Sequence, residues 1–333
     1  MRIALDGMGG DLAPQEAVLG GANAARDLGV EVVLVGLPER VQPLLETHPE
    51  LHFVPASQVI EMDEHPAQAV RRKPDSSMSV CARLAKQGKV DGWVSAGNSG
   101  GIMAAALFGQ GRIRGVERPA LGTVLPTAGQ PAFLLDVGAN VDSRPEYLVQ
   151  FARMGCAYVK QILGRPEPRV GLLSNGEEAG KGDQLVRETQ PRLAASGLNF
   201  CGNVEPKEVL AGRVDVVVAD GFAGSLVIKT AEATAELIFR SLREEIPRSV
   251  AGKAGGLLIR GGVRRLRRDL DWREYGGAPL LGINGVAVVA HGRSDALAIK
   301  NAIRVAKQAA ETDLTGQIQS AVGAPEKGRR ASE

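Results

Sequence analysis

Residues 92–108 read Gly-Trp-Val-Ser-Ala-Gly-Asn-Ser-Gly-Gly-Ile-Met-Ala-Ala-Ala-Leu-Phe. The short apolar run 92–95 is typical of a strand that is buried on both faces, and 102–108 is typical of a helix that follows it. The loop between them, 95–101, is rich in glycine. A buried strand, a glycine-rich loop and a helix in this order form the repeating unit of α/β proteins with a parallel sheet.

The same unit recurs through most of the chain. Short apolar runs predict further strands at 2–6, 31–36, 51–55, 132–137, 169–174, 214–219 and 286–290. Longer segments between them predict helices at 14–28, 78–87, 144–163, 184–195, 225–246 and 294–312. The alternation predicts an α/β fold with a doubly wound, mostly parallel sheet.

The composition bears on the class of protein. Aromatic residues make up 4% of the 333 residues and the formal net charge is +2, so no stacking surface for nucleic acid is expected. The three cysteines are far apart in the sequence, which is typical of a reducing cytosol rather than of a disulfide framework or a zinc site. No signal-peptide pattern and no run of about 20 apolar residues is visible. We therefore expect a cytoplasmic protein that meets a membrane only from the side.

Glycine, asparagine and aspartate are concentrated just after the predicted strands, in segments 6–11, 95–101, 136–140, 174–182, 220–225 and 291–294. Ligands of open α/β sheets bind beyond the carboxyl ends of the strands. We therefore expect these six loops to meet along one edge of the sheet. Any single loop is better explained as a tight turn without a ligand, but six of them together favour a binding site.

Some of these loops have features of an anion site. The loops 95–101 and 220–225 run into helix-like segments, and glycine N–H groups at a helix N-terminus bind phosphate. Lys181 lies between two glycines and can present its charge to a phosphate or an oxyanion, although an exposed loop explains it at least as well. The aspartates after strands, such as Asp220, either cap the next helix or hold loop amides and lysines in place.

Cofactor motifs are incomplete. Gly7-Met-Gly9 lacks the third glycine of the dinucleotide fingerprint, and no Gly-Lys-Ser/Thr sequence occurs. The four histidines have no metal-ligand spacing, and only His291 lies in a strand-end loop. We therefore expect no cofactor and no metal.

Residues 249–279 are rich in glycine and arginine, carry no strand pattern and are predicted to be an insertion. Ile259, Val263, Leu266 and Leu270 form an apolar stripe with helical spacing. Such a basic amphipathic segment is typical of binding to a membrane surface or an acidic partner, and an ordinary surface helix packed on the core is an equal alternative. The candidate contact residues are Leu257, Leu258, Arg260, Arg264, Arg267 and Arg268. We predict a single domain over 1–314 that includes this insertion, and a disordered polar tail over 315–333.

Several segments, taken together, resemble the PlsX-type phosphate acyltransferases. They include Asp6-Gly-Met-Gly-Gly-Asp11, Ala96-Gly-Asn-Ser-Gly100, Arg118-Pro-Ala-Leu121, Asp136-Val-Gly-Ala-Asn140, Gly202-Asn-Val-Glu205, Asp220-Gly-Phe222 and Glu274-Tyr-Gly-Gly-Ala-Pro-Leu-Leu-Gly282. Each segment is weak alone, but their order and spacing are specific and cover nearly the whole chain except its tail.

The resemblance implies a fold like that of isocitrate and isopropylmalate dehydrogenases, and a homodimer. It implies the transfer of a long-chain acyl group from acyl carrier protein to inorganic phosphate, which gives acyl phosphate and free carrier. A membrane acyltransferase then acylates glycerol 3-phosphate, the first step of phospholipid synthesis. The resemblance also implies peripheral association with membrane, on anionic lipid, through the basic insertion.

The residues suit this chemistry. Phosphate is already nucleophilic and needs a cradle and oxyanion donors more than it needs an enzyme nucleophile. We expect the phosphate to be held by Gly9, Gly10, Gly97, Asn98, Ser99, Gly100 and Lys181. The expected catalytic residues are Lys181, Asn98, Asn140 and Asp220, with Lys181 neutralising charge and Asp220 orienting its neighbours.

Three other functions remain open at this point. A phosphotransacetylase would use acyl-CoA instead of the carrier protein. A nicotinamide-dependent dehydrogenase of the isopropylmalate type would need a cluster of metal-binding carboxylates and a cofactor loop, and neither is found in the sequence. A non-catalytic scaffold for lipid synthesis would have no use for the loops at the strand ends.

Overall fold

The computed structural model of the chain describes residues 1–323. Its strands are β1 (Arg2–Asp6), β2 (Glu31–Gly36), β3 (His52–Pro55), β4 (Gly92–Ser95), β5 (Ala120–Leu125), β6 (Ala132–Leu135), β7 (Val170–Leu173), β8 (Phe200–Val204), β9 (Val216–Val218), β10 (Ala278–Leu281) and β11 (Ala287–Val289). Its helices are α1 (Gln15–Leu28), α2 (Pro38–Leu45), α3 (Pro66–Arg72), α4 (Ser77–Lys86), α5 (Ser99–Gly109), α6 (Pro145–Ile162), α7 (Gln184–Ala194), α8 (Pro206–Leu210), α9 (Gly221–Glu245), α10 (Val250–Asp269), α11 (Trp272–Tyr275), α12 (Ala296–Glu311) and α13 (Leu314–Gly323).

Within residues 1–323 the strands form one sheet in the order β3-β2-β1-β4-β11-β10-β5-β6-β9-β7-β8. One half, β1 to β4 with β11, is parallel throughout, and so is the other half, β6 to β9. The pairings β11–β10, β10–β5 and β5–β6 are antiparallel. The predicted mostly parallel sheet is confirmed, but three successive reversals make the two halves run in opposite directions.

Helices cover both faces of the sheet. On one face, α1, α6, α12 and α13 pack over strands of both halves and form the largest core cluster. On the opposite face the core is divided. One cluster lies under α3, α4 and α5, and a second, smaller one lies under α8 and α9. Val137, directly after β6, packs against both of these clusters and joins them.

All eight predicted strands and all seven predicted helices are present, with ends displaced by a few residues. Helix α9 begins at Gly221 rather than at 225, because the Asp220 carboxylate accepts hydrogen bonds from the first-turn N–H groups. Three strands were not predicted: β5, β8 and β10. Strand β10 begins at Ala278, inside the segment 249–279 that was expected to lack a strand.

The prediction of a disordered tail from residue 315 is wrong for residues 315–323, which belong to α13. Leu314, Ile318 and Val322 lie four residues apart on one face of this helix, and all three are buried in the largest core cluster. Burial of this apolar stripe is what holds the helix on the domain. The remainder of the predicted tail, 324–333, lies outside the described residues.

Candidate active site

The six glycine-rich loops form two groups rather than one. The loops after β1, β4 and β11 lie at one edge of the sheet, and we call them the first loop cluster. The loops after β6, β7 and β9 lie at the opposite edge, because these strands run the other way, and they form the second loop cluster. The expectation that all six loops meet along one edge is therefore wrong.

The first loop cluster is organised around the buried carboxylate of Asp6. The Ser95 hydroxyl donates a hydrogen bond of 2.6 Å to Asp6 Oδ2, and the N–H of Met8 donates one of 3.0 Å to Oδ1. Burial raises the pKa of the Asp6 carboxyl above its ordinary value, and these donors oppose the rise. The Gly97 N–H in turn donates to Ser95 Oγ at 3.1 Å. Asp6 therefore ties the loop after β1 to the loop after β4.

Gly9 lies where these two loops touch. A Cβ atom on Gly9 would come within 2.6 Å of the Gly97 nitrogen and 2.9 Å of both Asp6 Oδ2 and Ser95 Oγ. Gly10 has a φ of 102°, in the left-handed region, and packs against Ala96 and the carbonyl of Gly292. Glycine is required at both positions for the two backbones to approach this closely.

Asn98 is the N-cap of α5. Its Oδ1 accepts a hydrogen bond of 3.0 Å from the Gly101 N–H, and its Nδ2 donates to the carbonyls of Met62 (2.9 Å) and Glu64 (3.1 Å). The side chain therefore fastens the segment before α3 to the start of α5. Both of its N–H donors are used, so the expected contact between the Asn98 side chain and phosphate is not available.

The start of α5 does leave donors open. Within residues 1–323, the N–H groups of Ser99 and Gly100 have no hydrogen-bond acceptor. Ser99 is exposed and Gly100 is half-buried. Residues 97–101 also match the Gly-x-Ser-x-Gly pattern of serine nucleophiles. In the described part of the chain, however, the Ser99 hydroxyl has no hydrogen bond to a histidine that could activate it.

The second loop cluster is organised around Asp136. Its carboxylate accepts five hydrogen bonds of 2.7–3.2 Å, from the N–H groups of Leu121, Gly138, Ala139 and Asn140 and from Asn140 Nδ2. Burial raises the pKa of Asp136, and these donors oppose the rise. Asn140 Nδ2 also donates to the Pro119 carbonyl at 2.8 Å. Asn140 therefore joins the loop after β6 to the start of β5, and its N–H donors are fully used.

Asp220 closes the N-terminus of α9. Its Oδ1 accepts hydrogen bonds from the N–H groups of Phe222 (2.9 Å) and Ala223 (3.0 Å). The Gly221 N–H donates to the Asn140 carbonyl at 2.8 Å, and the Gly224 N–H donates to the Asp220 carbonyl at 3.0 Å. The first-turn donors of α9 are all used, so the phosphate cradle expected at 220–225 is not present, and Asp220 acts as a helix cap.

Lys181 lies in the exposed loop between β7 and α7. The Gly182 N–H donates to Asn175 Oδ1 at 2.9 Å, and Asn203 Nδ2 donates to the Glu178 carbonyl at 3.0 Å; both contacts hold the shape of the loop. The Lys181 ammonium has no ion pair within residues 1–323. It shares an edge of the sheet with Asn140 and Asp220.

Lys181 is far from the other expected phosphate ligands. Five strands separate β4 from β7, so at the usual spacing of about 4.8 Å the two strand ends are roughly 25–30 Å apart. They also lie at opposite edges. Within one subunit, a single phosphate cannot contact both Lys181 and Ser99.

A cavity of about 400 Å³ opens beside the second loop cluster, and its residues were not among the predicted site residues. It lies between the last turn of α5, the start of β5 and the first turn of α6. Its walls are formed by Leu107, Arg112, Glu117, Arg118, Pro119 and Tyr147. Arg118 was recognised in the sequence only as part of a matching segment, because nothing in the sequence distinguishes an arginine in a cavity from one on the open surface. No group of three or more possible metal ligands occurs among residues 1–323.

The sequence matches a family model described as "Fatty acid synthesis protein" over residues 1–317. The chain belongs to the fatty acid synthesis protein family. Two curated relatives named "Phosphate acyltransferase" are each 48% identical to it. The protein from Desulfitobacterium hafniense aligns over 96% of this chain and 97% of its own length. The protein from Nostoc punctiforme aligns over 96% of both chains.

Among solved structures, this member of the fatty acid synthesis protein family is similar to the EutD phosphotransacetylase from Staphylococcus aureus. The TM-score is 0.62 at 17% identity, and the match covers 93% of this chain and 94% of that one. At this level of identity the likeness concerns the fold alone. It agrees with the α/β fold described above.

Proposed function

We propose that this phosphate acyltransferase moves a long-chain acyl group from the thioester of acyl carrier protein to inorganic phosphate. The products are an acyl phosphate and free carrier, and the acyl phosphate feeds the acylation of glycerol 3-phosphate. The family and the names of its relatives support the phosphate acyltransferase activity. The observation that supports the site most directly is the pair of open N–H groups at the start of α5.

Phosphate is proposed to bind at this helix start. The free N–H groups of Ser99 and Gly100 and the positive end of the α5 dipole attract an anion. Gly9, Gly10 and Gly97 bring backbone next to this position without side chains that would fill it. Asn98 and Asp6 do not touch the phosphate in this arrangement, and they fix the loops that carry its ligands.

The reaction requires that the phosphate be positioned beside the thioester more than that it be activated. A phosphate oxygen attacks the thioester carbonyl carbon, so that a C–O bond forms and the C–S bond breaks. The electron pair of the C–S bond leaves with sulfur as a thiolate, which takes up, through water, the proton that the hydrogen phosphate loses as it becomes the acyl phosphate. No acyl-enzyme is needed, because phosphate is itself the nucleophile and a thiol of pKa about 8.5 is an adequate leaving group.

Lys181 is proposed to contribute positive charge to the phosphate or to the oxyanion. Because Lys181 and Ser99 of one chain lie at opposite edges of the sheet, this role requires a second subunit. We therefore propose a homodimer in which the second loop cluster of one subunit faces the first loop cluster of its partner. Asn140 and Asp220 hold the loop after β6 and the start of α9 in shape, beside Lys181.

Helix α10 is the proposed contact with membrane and carrier. Within residues 1–323, no helix has an apolar stretch fit to cross a bilayer. Helix α10 has no buried residue, and Leu257 and Leu258 are 70% and 87% exposed. Its arginines Arg260, Arg264, Arg267 and Arg268 are exposed as well. Exposed leucines beside arginines suit a peripheral site on anionic lipid. A dehydrogenase-like fold, a cytoplasmic location and contact with the membrane acyltransferase complete the proposal.

The deciding experiment measures the release of free thiol from long-chain acyl carrier protein with and without phosphate. We expect release only with phosphate, together with the formation of acyl phosphate. Release from acyl-CoA but not from the carrier would replace the donor in this proposal. No release from either donor would overturn the enzymatic function.

A further inference from the structure

The cavity beside the second loop cluster has the character of an anion site. Arg118 and Arg144 lie near the ring of Tyr147, with their guanidinium carbons 6.0 Å and 5.9 Å from its centre. Neither arginine forms an ion pair with a carboxylate among residues 1–323. Tyr147 is buried and lines the cavity, where its ring supports both cations. Arg118 lines the cavity together with Arg112 and the carboxylate of Glu117, and Arg144 lies beside the cavity at the Tyr147 ring. Guanidinium groups therefore outnumber carboxylates at this place, and they suit a phosphate ester, whose oxygens they bind in a fork.

The cavity lies near the end of α5, so a ligand bound in the cavity can extend along this helix toward its start. Leu107 lines the cavity near the end of α5, whereas the open N–H groups of Ser99 and Gly100 mark its start. Ser99, Met103 and Leu107 are spaced by four residues, so they lie on one face of the helix. Ser99 is exposed, and the other two are half-buried. A partly apolar strip therefore joins the cavity to the proposed phosphate site.

We infer that this strip binds the prosthetic arm of the acyl carrier, with the phosphodiester of the arm in the arginine cavity and the thioester at the start of α5. This inference rests on the proposed function. From Ser99 to Leu107 the helix rises about 12 Å, and the arginine side chains lie beyond Leu107. The arm has 13 bonds between phosphorus and sulfur, and at about 1.2 Å per bond of an extended chain it spans roughly 16 Å. The extended arm is therefore long enough to reach from the start of α5 to the arginine side chains beyond its end.

The alternative source of a phosphoryl group is inorganic phosphate itself. If the cavity held the attacking phosphate, the thioester would have to reach the second edge of the sheet, and the open amides of α5 would have no ligand. With the phosphodiester in the cavity, one acyl donor molecule contacts the arginines at one end of α5 and brings its thioester to the open N–H groups at the other end. The two sources can be separated, because only one of them is part of the acyl donor.

The test compares the wild type with the double variant Arg118→Ala/Arg144→Ala. For acyl carrier protein we expect KM to rise at least about tenfold, as for the loss of hydrogen bonds to a charged group, while KM for phosphate changes less than twofold. The second donor is acyl-pantetheine, which has the arm without its phosphodiester. With this donor, wild type and variant should have equal rates.

Two controls keep the outcome interpretable. The variant Arg26→Ala/Lys89→Ala removes two exposed basic side chains that do not line the cavity and should behave as wild type, and thermal unfolding verifies that each variant is folded. If the cavity variant does not fold, Arg118→Lys/Arg144→Lys retains the charges and loses the forked hydrogen bonds. An unchanged KM for the carrier, a raised KM for phosphate, or an equal loss with acyl-pantetheine would overturn the inference. Failure of wild type to use any donor would instead overturn the proposed function.

Discussion

Gly9 is the residue at which the first loop cluster is most tightly packed. We predict that Gly9→Ala destabilises the protein by about 1–3 kcal/mol, because the new methyl group meets the backbone nitrogen of Gly97 and the hydrogen-bonded oxygens of Asp6 and Ser95. The KM for phosphate should also rise, since the loop after β4 must shift. Chemical denaturation and initial rates measure the two effects.

Gly180→Ala is the matched control for Gly9→Ala. A Cβ at Gly180 has no atom within 4 Å, and the residue has no left-handed φ. Its free energy of unfolding should change by less than about 0.5 kcal/mol, as is usual for exposed surface positions. If both glycine variants behaved alike, the close approach of Gly9 to Gly97 would have no energetic consequence.

Residue types were easier to predict than residue roles. Asparagine and aspartate after strands correctly indicated the loops whose shape is fixed by side-chain hydrogen bonds. However, the side chains of Asn98, Asn140 and Asp220 form their hydrogen bonds with backbone groups that lie nearby in space. They cap helices or connect loops. Capping by Asp220 was one of its two expected roles, but the roles of Asn98 and Asn140 cannot be read from a sequence, because their acceptors are the carbonyls of Met62 and Pro119, far from the donor in the chain. Arg118 was not among the candidate residues for the corresponding reason: only the fold brings it to Tyr147, whereas Arg144, the N-cap of α6, precedes Tyr147 by three residues.

Among the secondary-structure elements, helix α10 is predicted to bind anionic lipid through its arginines. Reversing three charges with Arg264→Glu, Arg267→Glu and Arg268→Glu should lower flotation with vesicles of anionic lipid. Each basic residue near such a surface contributes about 1 kcal/mol. The control reverses Arg26, Lys86 and Lys89, which are exposed elsewhere on the subunit, and it should float almost as well as the wild type. If the α10 variant floats normally but binds acyl carrier protein weakly, its arginines serve the carrier and not the lipid.

Elements with strong apolar patterns were predicted from the sequence, and those that depend on a partner were not. Strand β8 contains Gly202 and Asn203 and pairs with β7 through an irregular register. Strand β5 contains Gly122, where a Cβ would lie 2.1 Å from the ring of Phe133 on β6. Such glycines weaken the strand pattern in the sequence, although they are what allows the neighbouring strand to pack.

The arrangement of the two edges gives the prediction at the scale of the whole molecule. If Lys181 acts in the site of a partner subunit, two inactive variants should restore activity when they are mixed. We pair Lys181→Ala with Gly100→Val, whose side chain would strike Pro66 beside the open amides of α5. Random reassociation makes half of the dimers mixed, and each mixed dimer has one intact site of its two. Activity should therefore recover to about a quarter of the wild-type value.

The same experiment has a clear contrary outcome. If each subunit used its own Lys181, every site in a mixed dimer would contain one defect, and mixing would restore nothing. The separate subunits must first be shown to exchange, for example with two differently tagged wild-type chains. Lys181→Ala with wild-type turnover at low phosphate would remove the residue from the mechanism altogether.

The antiparallel pairings around β10 and β5 also decide what the sequence can reveal about the whole molecule. Alternating strands and helices indicate the class of fold, but they do not indicate the direction of each strand relative to the others. The three antiparallel pairings from β11 to β6 reverse the sheet, and of the strands involved β5 and β10 have no clear pattern of their own. For this reason the loops were predicted correctly one by one and assigned wrongly to a common edge.

The placement of β11 has a consequence for how the chain folds during synthesis. Trp93 on β4 pairs with Ala287 on β11, and β5 to β10 lie between them in the chain. The half built from β6 to β9 is complete by Val218, so it can form on the ribosome while β4 still has an unpaired side. The half that is made first is therefore finished last. Until β11 has left the ribosome, β4 is an edge strand with one unpaired side, and the proposed phosphate site follows directly after it. Such an exposed strand edge is where a chaperone would be most needed.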